Sequence, residues 1–307
     1  MSSSTDSMKE SRIGYETYSL YLFFYLVFSF LILVVYRSYE NFPDFDNYTQ
    51  YIKSEAYFLR FRIEPISVLI MSISSKMKIG GGGYYVLTWL LASFLMMLIP
   101  LRYGRRYLCF VTFVLLNPIS LILYQTPRQF ISFSIFVLSM FLIGKVKYIG
   151  IFFAMLAHTI SGFLTLFFSN VIHYRAIKLF SAILIAMVGF MLMSLTKYSV
   201  YFEESSIQRG VGRYLYVIVF LSVTLILSAK KSLNNISFVL CMLFLTLLFY
   251  AYTSYAGRIM PYICAVLAYY VFNNFKSKQY IIVVHAFMIF SLFFSLGIIV
   301  AGMYGYG

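Results

Sequence analysis

The chain has 307 residues, of which 62% are hydrophobic and only 11% charged, with a mean hydropathy of +0.85. A water-soluble protein of this length would carry about a quarter charged residues, so an ordinary soluble enzyme is excluded. The net charge of +14 does not indicate nucleic acid, because the basic residues are scattered through short links instead of forming a stripe.

In chain order, 1–14 reads as a polar cytoplasmic tail without a cleavage-like end, and the apolar run after it is long for a signal peptide, so it is expected to be retained. Runs of about 16–22 apolar residues then recur, the length of a membrane-crossing helix. The expected spans are 15–36, 84–101, 107–124, 129–144, 148–170, 178–196, 214–229, 236–256, 259–272 and 280–301. The prediction is an all-α polytopic integral membrane protein with about 9–11 transmembrane helices in a single membrane domain, 1–307. The basic links Arg102–Arg106, Lys145–Lys147, Arg175–Lys178, Lys230–Lys231 and Lys276–Lys278 belong on the cytoplasmic side by the positive-inside tendency. The other face then receives the outer loops 37–83 and 197–213. On this topology 148–170 starts and ends on the cytoplasmic side. Two half-helices meeting near His158 would accommodate that, as would one link that breaks the charge rule.

Beyond Asp6, Glu10 and Glu16, every carboxylate falls in those two outer loops: Glu40, Asp44, Asp46, Glu55 and Glu64 in the first, Glu203 and Glu204 in the second. Within the first loop, 63–78 has too short an apolar stretch to span and fits an interfacial helix. Gly80–Gly83 follows and permits a sharp re-entry. Cys109, Cys241 and Cys264 all lie in apolar runs, with no pairing pattern for disulfides or zinc, and no metal or other cofactor is expected. The chain contains no phosphate-binding glycine loop, HExxH, GxSxG or dinucleotide fingerprint.

Asp44, Asp46, Tyr48 and Tyr51 set carboxylates beside aromatic rings, a combination suited to sugar hydroxyls and sugar faces; Asp44 or Asp46 capping a helix that starts near Tyr48 is the plainer reading. Glu64 before Pro65 can be an acid or base at a membrane surface, or a residue favoured by the helix dipole alone. Arg128, with Pro127 before it and Gln129 after it, opens a span at the outer surface. It can be a membrane anchor, or it can join exposed helix donors in holding a diphosphate. Arg258 is a second candidate clamp, and Gln129 a candidate sugar contact. His158, an ionisable group within an apolar run, is a functional candidate. His173 and His285 read as structural.

Taken in order, Asp44-Phe-x-x-Tyr48, Glu64-Pro65, Arg128-Gln129, His158-Thr-Ile-Ser161 and Arg258 resemble the EpsG/Wzy family of polysaccharide polymerases over roughly residues 15–275. Phe45 stands where that family has tyrosine, and Ser161 is one place later than its histidine–serine pattern. The resemblance implies a GT-C-like glycosyltransferase of the bacterial inner membrane with its active site facing the periplasm. It implies transfer of a growing O-antigen, capsular or exopolysaccharide chain from undecaprenyl diphosphate to a new lipid-linked repeat unit. Partners are lipid-linked donor and acceptor, membrane lipid and a chain-length regulator protein; no nucleic acid is expected. On this reading Glu64 ranks first as base, Asp44 second, and His158 is a donor near the leaving group. The rival is a flippase or other transporter of lipid-linked sugars. Transporters tend to carry internal repeats and midplane binding groups, and this chain shows no repeat and no acid in the middle of a span.

Overall fold

The computed structural model describes residues 42, 44–104, 106–117, 119–142, 146–158 and 256–274, with positions 222 and 293. Apart from single positions, the expected spans 15–36, 178–196, 214–229, 236–256 and 280–301 lie outside the described residues, as do loop 197–213, His173, Cys241 and His285. The described elements are all α-helices, with no strand among the described residues. They are α1 Phe45–Lys53, α2 Tyr57–Arg60, α3 Pro65–Lys76, α4 Gly80–Tyr103, α5 Arg106–Leu116, α6 Leu121–Gln125, α7 Pro127–Ser139, α8 Val146–Ala157 and α9 Ala256–Asn274.

Local chemistry explains the boundaries. In α1, Tyr48 and Ile52 are one turn apart and both buried, while Asp46 in the first turn and Lys53 in the last complement the helix dipole. Helices α3 and α7 both start on a proline, which fixes the first-turn backbone where no N–H is needed. The expected span 107–124 is instead two helices. Asn117 ends α5: its amide nitrogen donates to the carbonyls of Phe113 and Val114, and its amide oxygen accepts from the N–H groups of Ile119 and Ser120. Expected span 129–144 is a helix only to Ser139, and α8 stops at Ala157; residues 159–170 of expected span 148–170 lie outside the described residues.

The glycine run also departs from expectation. Only Gly80, at φ +61°, uses the left-handed region, together with Lys78 at φ +57°. The reversal is complete there, and Gly81–Gly83 form the first turn of α4. Gly81 is required for another reason: a β-carbon on it would run into the Thr49 side chain of α1. We expect Gly81→Ala to destabilise the protein by about 1–3 kcal/mol, with Thr49→Ala in the same chain recovering most of the loss; equal thermal stability of wild type and Gly81→Ala would refute the contact.

At 24 residues, α4 is the one described helix long and apolar enough to cross a membrane. At about 1.5 Å per residue it exceeds the roughly 30 Å of a hydrocarbon core. Its buried side carries Tyr84, Tyr85, Thr88, Trp89, Ala92 and Met96. Helices α4 and α7 run the same way: Trp89 packs on Tyr124 just before α7, and the Tyr103 hydroxyl donates to the Phe141 carbonyl beyond its end, at 2.8 Å. Helix α8 returns antiparallel along α7, with the Ser132 hydroxyl donating to the Ala154 carbonyl at 2.8 Å. Tyr262 packs on Phe133 and Phe136, and Tyr269 on Phe141, so α9 also runs with α7. The bundle therefore has two chemically different ends. Arg102, Arg106 and Lys147 occupy one, and the acids of α1 and α3 stand at the other.

Candidate functional site

The N-terminal end of α7 meets α1 and the start of α3. Pro127 begins α7, which puts Arg128 in its first turn, and Glu64 holds the N-cap position of α3. The Arg128 Nη1 donates to Glu64 Oε2 at 2.6 Å, and Nε donates to the Tyr48 hydroxyl at 3.0 Å. The guanidinium carbon lies 4.3 Å from the centre of the Phe61 ring. Tyr48, Phe61 and Glu64 are thus joined around one cation from a distant part of the chain.

The pair is largely withdrawn from solvent, with side-chain exposures of 23% for Arg128 and 8% for Glu64. Such a pair is held by charge-assisted hydrogen bonding in a low-dielectric setting. Tyr48 stays a neutral donor and acceptor: burial raises its phenol above the ordinary value, with Arg128 opposing and Asp44 adding to the rise. An arginine carries five N–H groups; two are engaged here, so three have no partner among the described residues. Pinned on one edge and partly exposed, Arg128 can offer the rest to an anion.

The remaining expected site residues sort by position. Asp44 is half-buried at the N-cap position of α1, and its side chain makes no capping bond. Helix α1 therefore starts at Phe45, earlier than expected and without the carboxylate cap. Asp46 is exposed on α1, and Tyr51 is half-buried with its ring edge-on to Phe61 at 5.6 Å. Tyr48 cannot serve as an open sugar platform, because Phe61, Tyr84 and Tyr85 enclose its buried ring. Gln129 is likewise buried within the bundle and not at its surface.

His158 is buried one residue beyond α8, and its N–H closes the last turn on the Ala154 carbonyl at 3.0 Å. The Ser67 hydroxyl, from the first turn of α3, donates to the neighbouring Ala157 carbonyl at 2.8 Å. Since Ser132 pairs with Ala154 across antiparallel helices, Arg128 and His158, each four residues further on, share one level of the bundle. Arg258 is placed by its backbone alone, in the first turn of α9 at that same end.

Phe61 and Ser67 were not anticipated, because neither belongs to a charged motif. Both act through contacts that only the fold creates. Next to Tyr48, the hydroxyls of Tyr84 and Tyr85 are buried with no partner among the described residues, so this corner also holds unused hydrogen-bonding capacity. Among the described residues no cluster of three or more His, Cys, Asp or Glu side chains could hold a metal ion. Compared with family models, curated proteins and solved structures, the chain matches none.

Proposed function

We propose that the chain is a polytopic, GT-C-like membrane glycosyltransferase that polymerises undecaprenyl-diphosphate-linked repeat units on the periplasmic face of a bacterial inner membrane. The observation that carries this reading is the Arg128 guanidinium, fixed by Glu64 and Tyr48 at a proline-started helix end, with three N–H groups that have no partner among the described residues. A helix N-terminus combined with a guanidinium suits a diphosphate.

In the proposed reaction a hydroxyl of the acceptor sugar attacks the anomeric carbon of the donor. The carbon–oxygen bond to the diphosphate breaks, the hydroxyl proton passes to a base, and polyprenyl diphosphate leaves with the negative charge. Arg128, with Arg258 as a second clamp, neutralises that charge. Because Glu64 is bound to the guanidinium that would hold the leaving group, its role in this scheme is to position Arg128. The base then passes to Asp44, whose carboxylate is half-buried with no capping bond beside Tyr48. His158 stands as a hydrogen-bond donor near the leaving group.

The test is a ladder. Purified full-length protein in lipid nanodiscs, given a lipid-diphosphate-linked repeat unit and no nucleotide, should produce a series of polymers. If proteoliposomes instead carry the unchanged repeat unit across the membrane without extending it, the transporter reading replaces this one.

A further inference from the structure

Helix α3 carries apolar side chains on both faces. It buries Ile70 and Met71 together with Ser67 and Ser74, whose hydroxyls donate to the carbonyls of Ala157 and Gly80, whereas Leu69, Ile73 and Met77 form an outward stripe at four-residue spacing. Leu69 and Met77 are each 60% exposed. The approach to the helix continues the pattern, with Leu59 at 83% and Ile63 at 64% exposure, and Phe58 exposed beside them. Large apolar side chains exposed together in this way mark a site of interaction with a partner or a membrane.

The charges around it have one sign. Arg60 and Arg62 stand exposed before α3, and Lys76 and Lys78 at its far end, about 18 Å along at 1.5 Å per residue. The one exposed acid in 53–78 is Glu55; Glu64 is buried and paired. These cations lie on the same side of the fold as Arg128, opposite the basic links 102–106 and Lys147, so the positive-inside tendency gives no reason for them.

We infer that the outward face of α2 and α3 is a docking surface for anionic phospholipid, with Leu59, Ile63, Leu69, Ile73 and Met77 inserted among the acyl chains and Arg60, Arg62, Lys76 and Lys78 bound to the headgroup phosphates. The occupant is a leaflet and not a protein partner, since a stripe of flexible aliphatic side chains bracketed by cations fits an interfacial helix on an anionic membrane. The inference rests on the reading that α4 crosses the same membrane, because α3 joins it through a three-residue turn. Docking there fixes Glu64, and through it Arg128, at the headgroup level.

The experiment uses the full chain with its three native cysteines changed to alanine and a fluorophore on a single introduced cysteine, Ile73→Cys. It is placed in nanodiscs of phosphatidylcholine, with or without phosphatidylglycerol, and quenched with iodide. Phosphatidylglycerol should shield position 73 by roughly fivefold or more, the effect of one cation at an anionic surface, and Arg60→Gln, Arg62→Gln, Lys76→Gln and Lys78→Gln together should abolish the difference. Free quenching at position 73 in both discs overturns the docking surface, and equal shielding in both overturns its selectivity for anionic lipid. A label at Leu90→Cys, on the exposed side of α4, separates the two readings. If it too is quenched, it is the membrane crossing that has failed.

Discussion

Arg128→Lys should lose polymer by on the order of 10²-fold, while protein level and membrane insertion stay near normal. A lysine keeps the charge, but it cannot donate to Glu64 and Tyr48 from two faces of one rigid plane and still present N–H groups to a diphosphate. Arg128→Ala has a second effect. It removes the guanidinium from the buried Glu64 carboxylate, a change that costs about 3–5 kcal/mol in buried pairs and somewhat less here, where the arginine is partly exposed and Glu64 keeps a further interaction. Adding Glu64→Ala to Arg128→Ala should therefore restore part of the stability and none of the activity. Ladder assays beside thermal unfolding in detergent separate the two effects. Normal long chains from Arg128→Lys would show that Arg128 is a membrane anchor and would remove the clamp.

Helix starts were legible where one residue type decides them. Pro65 and Pro127 announce first turns, whereas α1 starts at Phe45, ahead of the start near Tyr48 that the acid–aromatic stretch suggests, and without a carboxylate cap. The break at Asn117 could have been read from the Asn-Pro pair at 117–118, a turn signal hidden by the apolar residues on both sides. The end of α8 at Ala157 left no such mark. It coincides with the Ser67 hydroxyl on the last carbonyl, a contact between residues 90 positions apart. Gly80–Gly83 was misread because glycine admits two causes, backbone freedom and close approach; Gly80 has the first and Gly81 the second.

The site shows the same division. Glu64, Arg128 and Tyr48 were each identifiable as chemistry-bearing residues in a loop or at a helix start. Their union was not, since hydropathy and charge order say nothing of which polar groups meet in the fold. That union changes their roles. Tyr48 becomes a buried strut with its hydroxyl on Nε, and Glu64 becomes the counter-ion of the candidate clamp. A carboxylate in that position cannot be assigned by its place in the chain alone.

Asp44→Asn should lower turnover by about 10²–10⁴-fold, the usual contribution of a positioned base, with donor binding unchanged. The side chain keeps its shape and has no capping bond to lose, so α1 should remain folded. Glu64→Gln should behave differently. The amide oxygen can still accept from Nη1 of Arg128, so the guanidinium stays in place while a negative charge beside the anion site disappears. Donor diphosphate should then bind several-fold more tightly, on the order of the 1 kcal/mol of one screened charge at a partly exposed site, and turnover should fall less than tenfold. Isothermal titration with a short-chain prenyl diphosphate, set beside single-turnover rates, measures both quantities. The reverse pattern, with Glu64→Gln inactive and Asp44→Asn near normal, would make Glu64 the base despite its ion pair. Activity in both variants would leave His158, at the level of Arg128, as the group that takes the proton.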